Sequence, residues 1–117
     1  MITYQLHIEI LSEISITVGR LGTFNFPAGI YIYTGSAKKN IDARIERHLR
    51  SEKKLRWHID YLLAHEQAHV VRVVRHAVSE CVVNQRVNGN IVVEKFGASD
   101  CRSGCGSHLK RLLSTPQ

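Results

Sequence analysis

With 117 residues, 44% of them hydrophobic and 22% charged, the chain can bury a core without staples and reads as one globular domain over 1–117. No apolar run approaches the ~20 residues that span a bilayer, and Met1-Ile2-Thr3-Tyr4 lacks the basic start of a secretory signal. Three cysteines at uneven spacing (Cys81, Cys101, Cys105) suit a reducing compartment better than a disulfide framework, so a cytoplasmic protein is expected.

Tyr4 to Ile10 alternates strictly, which predicts a first strand with Tyr4, Leu6, Ile8 and Ile10 on one face. Ile14 to Val18 predicts a second strand after a Ser12-Glu13 turn, and Gly19 to Pro27 a connection that folds Phe24 and Phe26 over the core. Gly29 to Thr34 is rich in aromatic and β-branched residues and predicts a third strand. On it Tyr31 and Tyr33 share one face, expected to be a polar working face, while Ile30 and Ile32 share the other. Gly35 is expected to turn the chain into a helix from about Asn40 to Arg50, with Ile41, Ile45 and Leu49 as its buried stripe. Arg44 and His48, four apart, stack on a neighbouring face of that helix.

After the polar loop at Ser51 to Lys54, Trp57 to Leu63 predicts a second helix and Val70 to Val74 a strand. Ser79 is placed as the N-cap of a third helix with Glu80 in its first turn, ended by Asn88-Gly89-Asn90. A glycine- and cysteine-bearing loop, Gly97 to Gly106, precedes a short last element from Ser107 to Leu113. The expected fold is α/β (α+β): a small, mainly antiparallel sheet flanked by helices.

The net charge of +6 is unevenly placed. Lys38 to Arg56 holds eight basic residues (Lys38, Lys39, Arg44, Arg47, Arg50, Lys53, Lys54, Arg56) against three acids (Asp42, Glu46, Glu52), a surplus of five. Such a segment suits a polyanion, usually nucleic acid. The plainer alternative is a solvated helix face with an i,i+4 pair such as Glu46 with Arg50. A strand of tyrosines leading into a helix that displays Arg and His suits phosphate chemistry.

Four segments in order, Gly29 to Ala37, Trp57 to Leu62, Glu80-Cys81 and Phe96 to Leu109, resemble a small prokaryotic branch of the GIY-YIG nuclease superfamily. The literal Gly29-Ile30-Tyr31 abuts the second motif, so the first-motif tyrosine is placed at Tyr4, with Ile2 where the motif has glycine. The Cys101-to-Cys105 spacing is longer than the branch's usual one. The resemblance implies Mg²⁺ (or Mn²⁺) on Glu80, Arg44 on the scissile phosphate, and Tyr4 or Tyr33 acting on the attacking water. His48 would assist proton transfer, with His58 second in line. Lys38, Lys39, Arg47, Lys53, Lys54 and Arg56 would face the nucleic acid, expected to be DNA read by structure rather than sequence. That leaves a protein partner or fused domain open as a source of specificity.

Two rivals stand beside this reading. A non-catalytic nucleic-acid-binding module would keep the basic helix without needing the constellation. His65-Glu66-Gln67-Ala68-His69 matches the zinc-protease pattern, which works only on a helix, whereas here it runs into strand-like Val70 to Val74. Cys101, Cys105 and His108, with Asp100 or Cys81, offer a soft set for structural zinc; the plainer reading is a tight loop with small buried thiols.

Overall fold

The alternation near the N-terminus produces β1 (Ile2–Ile10), and Tyr4, Leu6, Ile8 and Ile10 are all buried. In the computed structural model, which describes residues 2–37, 39–50, 52–97 and 105–112, β1 is paired on both edges. One neighbour is β4 (Gly29–Ala37) and the other β5 (Ala68–His76), each antiparallel. β7 (Leu109–Leu112) adds to β4 and β6 (Gly89–Ile91) to β7. The result is a five-stranded antiparallel sheet in the order β5-β1-β4-β7-β6. A separate hairpin, β2 (Ile14–Val18) with β3 (Gly22–Phe26), is inserted between β1 and β4. Three helices complete the α+β fold: α1 (Ile41–Leu49), α2 (His58–Leu63) and α3 (Glu80–Gln85).

Ile41, Ile45, Ile59 and Leu62 join the β1 side chains and the hairpin's Ile14, Ile16, Val18 and Phe26 in the main core. Val83 of α3 lies with Gln5, His7 and Ile32, whose side chains leave the opposite face of the sheet. The sheet is therefore covered on both faces. Among the described residues no helix is long and apolar enough to cross a membrane.

Four expectations change. Gly19 to Pro27 is no mere connection, because Thr23 and Phe24 face Thr17 and Ile16 as the second arm of a hairpin. The tyrosines of β4 point into the core: Tyr31 is fully buried and donates its phenol to Pro27 O at 2.6 Å, and Tyr33 is only 8% exposed. Gly35 does not turn the chain; β4 runs through it to Ala37. Leu49 is 53% exposed and His48 takes its place in the buried stripe. At ~100° per residue His48 lies about 20° from the direction of Ile41, whereas Leu49 lies about 80° away.

The two helices on the core side are joined by a buried charge. Asp60 on α2 is fully buried and accepts from Arg47 Nη1 and Nη2 at 3.0 Å each, and from the backbone N–H groups of Arg56 and Trp57 at 2.9 Å each. Burial works against the ionised form, but these four donors outweigh it and hold the carboxyl below its usual range. The Arg47 guanidinium also lies over the Trp57 ring, 4.2 Å from its centroid. Asp60→Ala leaves Arg47 and two N–H groups unsatisfied, and we expect a loss of ~3 kcal/mol, the low end for a broken buried pair because Arg47 is partly exposed. Urea unfolding checks this; a loss under ~1 kcal/mol would mean that water replaces the carboxylate.

Candidate active site

The β1/β4 register sets Tyr4 opposite Gly35 and Leu6 opposite Tyr33, so both phenols rise from the core face of adjoining strands. Gly35 is the seat of the Tyr4 ring. A Cβ there would stand 2.6 Å from both Cζ and the hydroxyl oxygen of Tyr4, closer than any real contact. Held in that seat, Tyr4 reaches α1, where its hydroxyl meets His48 Nε2 at 2.6 Å. His48 in turn packs against Tyr33 and Trp57, with ring centroids 6.0 and 5.5 Å away. Arg44, one turn earlier, donates from Nη1 to Ser36 O at 2.9 Å and lies 4.9 Å from the Trp57 centroid. Gly97 closes the other side of Tyr33, where a Cβ would come within 2.9 Å of its ring.

Burial dominates the electrostatics of this cluster. It raises the Tyr4 phenol well above its ordinary value, with Glu80 and Asp60 adding to the rise and Arg44 opposing it. It raises Tyr33 as well, helped by Tyr4, Glu80 and Asp60. It pushes His48 down to about 4, Asp60 opposing and Lys53, Arg47 and Arg44 reinforcing. At neutral pH the Tyr4–His48 pair is therefore a contact between two uncharged groups. His48 Nδ1 is buried and finds no hydrogen-bond partner among the described residues.

Glu80 enters from the first turn of α3, close enough for its charge to act on both phenols. Its Oε1 lies 3.7 Å from His108 Nδ1, and its side chain keeps 28% of its exposure. Its carboxylate is a hard oxygen donor of the kind that suits a cation such as Mg²⁺. His58 stands apart from the Tyr4–His48 contact: its Nδ1 accepts the Gly97 N–H at 2.9 Å, and its ring packs on Phe96.

The basic residues divide. Arg47 is turned inward on Asp60. Lys53 donates to the carbonyls of Arg47 and His48 at 3.2 and 2.6 Å, capping the last turn of α1. Lys39, Lys54 and Arg56 are exposed, and Lys38 lies outside the described residues. The zinc-protease pattern fails on geometry. His65 sits in the turn after α2 and His69 on β5 opposite Glu9, so no helical face carries both. Cys105 and His108 come together with Cys81, while Asp100 and Cys101 lie outside the described residues. A cleft of about 380 Å³, lined by Gln5, His7, His76 and Arg86 among others, opens on the opposite face of the sheet and holds none of the tyrosine cluster.

Two site features carried little signal in sequence. Trp57, the platform for both Arg44 and Arg47, shows itself only as part of the Trp57-His58-Ile59-Asp60 run. The seat at Gly35 is indistinguishable there from a turn glycine.

An antiparallel α+β domain with a tyrosine–histidine–arginine cluster against its sheet is thus the class of protein defined. The chain belongs to the DUF123 family, a domain of unknown function whose family model matches residues 3–117. No curated protein and no solved structure matches the chain.

Two tests follow from the cluster. Gly35→Ala forces the Tyr4 ring off its seat, and a loss of roughly 2 kcal/mol on chemical unfolding is expected from overpacking. Stability should also fall on acidification. The unfolded chain takes up a proton on residue 48 near pH 6.5, whereas the folded chain refuses it down to about 4. The contribution is complete above pH 6.5 and drains away toward pH 4, on the order of 2–3 kcal/mol. His7 and His58, also lowered by burial, act in the same sense. Urea midpoints from pH 7.5 to 4.5 measure the slope, and His48→Gln should flatten it; a flat native profile would show that a protonated His48 is accommodated.

Proposed function

We propose that this chain is a metal-dependent endonuclease of the GIY-YIG kind, a cytoplasmic enzyme hydrolysing phosphodiester bonds in nucleic acid, with structured DNA as the expected substrate. The observation that carries the reading is the meeting of Tyr4, Tyr33, His48 and Arg44, drawn from two strands and a helix, within the electrostatic reach of Glu80.

Each group has a part. The Mg²⁺ (or Mn²⁺) that Glu80 would hold supplies charge stabilisation on the phosphate and lowers the pKa of neighbouring oxygen acids. Arg44 uses one of its five N–H donors on Ser36 O, and its fixed fork suits the phosphate. Tyr4, its hydroxyl fixed by the 2.6 Å contact with His48 Nε2, is the phenol held in place to act on the attacking water, whereas Tyr33 meets His48 ring to ring at 6.0 Å. Tyr33 orients the water. A second reading draws on the burial of both phenols: packed and neutral, they serve as core residues, and the domain binds nucleic acid without cutting it.

The deciding assay is Mg²⁺-dependent cleavage of branched, flapped, single-stranded and duplex substrates. Glu80→Gln should lower cleavage by ~100-fold or more while binding survives, because metal-assisted charge stabilisation is worth several kcal/mol. Arg44→Lys should be severe, and Tyr4→Phe should cost more than Tyr33→Phe. A native protein that binds several substrates but cuts none with Mg²⁺ or Mn²⁺ establishes the binding module instead.

The exposed cations predict how binding responds to salt. Lys39→Glu, Lys54→Glu and Arg56→Glu together should weaken binding and reduce the slope of log affinity against log salt by about 2–3, near one per lost phosphate contact. An unchanged gel-shift titration would assign these residues to plain solvated surface.

A further inference from the structure

We propose that Cys81, Cys105 and His108 form a second, soft metal site that holds Zn²⁺ and ties α3 to the segment entering β7. The ligand atoms of the three residues all lie within 4.8 Å of one another. Two sulfurs and an imidazole make a donor set suited to zinc and unsuited to Mg²⁺ or Ca²⁺. Zn–S and Zn–N bonds of about 2.3 and 2.0 Å place tetrahedral ligands roughly 3.5–3.8 Å apart, so rotamer adjustments of about an ångström close the shell. Among the described residues these three are the donors that the cluster offers.

The surrounding backbone holds the donors in place. Cys105 and His108 are separated by Gly106, at φ +80°, and Ser107, a two-residue spacing that lets neighbouring donors converge on one ion. Lys95 N–H donates to Gly106 O at 2.6 Å and His108 N–H to Phe96 O at 2.8 Å, fixing the segment from one side. From the other side Asn84 Nδ2 on α3 donates to Ser107 O at 2.8 Å, and Lys110 Nζ returns to Asn84 O at 2.9 Å. Cys81 projects from the helix that carries Asn84, one residue after Glu80. His108 is 1% exposed while both cysteines are half-buried, so the imidazole is rigid and the thiols can be reached by an ion. Glu80 stands 3.7 Å from His108 Nδ1, and a carboxylate beside a metal-bound imidazole is the usual means of orienting the ring. The zinc site thereby fixes the helix turn that presents Glu80.

The test uses the full chain purified under reducing conditions without chelator. Bound metal should approach one zinc per chain by elemental analysis. Co²⁺ in its place should show thiolate charge-transfer absorption together with the visible bands of tetrahedral cobalt. Cys81→Ser, Cys105→Ser and His108→Gln, taken singly, should each weaken Co²⁺ binding by an order of magnitude or more, and the two serine variants should diminish the charge-transfer band. Arg44→Lys, on α1 and outside the cysteine cluster, should keep the bound zinc, which separates this site from Mg²⁺-dependent cleavage. Should the variants fail to fold, the native protein still decides: stripping the metal should lower its melting temperature and added Zn²⁺ restore it. No charge-transfer band at micromolar Co²⁺, or zinc content unmoved by the cysteine substitutions in folded protein, overturns the proposal. So does a Cys81–Cys105 disulfide, found by mass spectrometry in the reduced preparation, that excludes the ion.

Discussion

The contact on which the site depends is the Tyr4 ring seated against Gly35. Nine residues of β1 pair with nine of β4, and this register places a residue without a Cβ, Gly35, opposite the ring that needs its space. A one-residue slip would send Tyr4 to the opposite face with Gln5's neighbours. With the ring seated, its hydroxyl falls on His48, and His48 in the buried stripe of α1 sets how that helix rests on the sheet. One steric constraint therefore positions a strand pair, a helix and the first hydrogen bond of the candidate site together.

Around this uncharged pair the charged groups are deployed by burial. Asp60 is fully buried and remains ionised because four donors converge on it. Arg47 is the chief of these, and its use there removes it from the surface that the basic segment presents. Lys53 is spent on the carboxyl end of α1. What remains for a polyanion is a narrower set, Lys39, Lys54 and Arg56, with Arg44 at the edge of the cluster over Trp57. A count of charges along the chain overstates the electrostatic face, since cations with internal partners contribute to folding before they contribute to binding.

Adjacent positions 80 and 81 face two chemistries. Glu80 offers a hard oxygen whose charge is felt by both phenols, and Cys81 a soft sulfur beside Cys105 and His108. Because successive residues on a helix point about 100° apart, one turn of α3 can address both.

The chain by itself determined the strands of Tyr4, Ile14 and Tyr33, the α1 and α2 helices, the strand at Val70 to Val74 and the antiparallel α+β class, because period-2 and period-3.6 patterns are local properties. It also argued against a helical His65/His69 pair, through the β-branched run that follows, and the position of His69 on β5 decided it. It could not determine which face of β4 is inner. Tyr31 and Tyr33 looked polar, yet a phenol is buried readily once its hydroxyl is bonded, as Tyr31 does to Pro27. Nor could it show that Gly35 is a seat and not a turn, or that Arg47 belongs to Asp60 thirteen residues away, since both depend on what lies across space. Cys81 and His108, twenty-seven residues apart, meet only because α3 and the entry to β7 are packed side by side. Local pattern is a property of neighbours in the chain, whereas partners for glycine, cation and thiol are chosen by the tertiary fold.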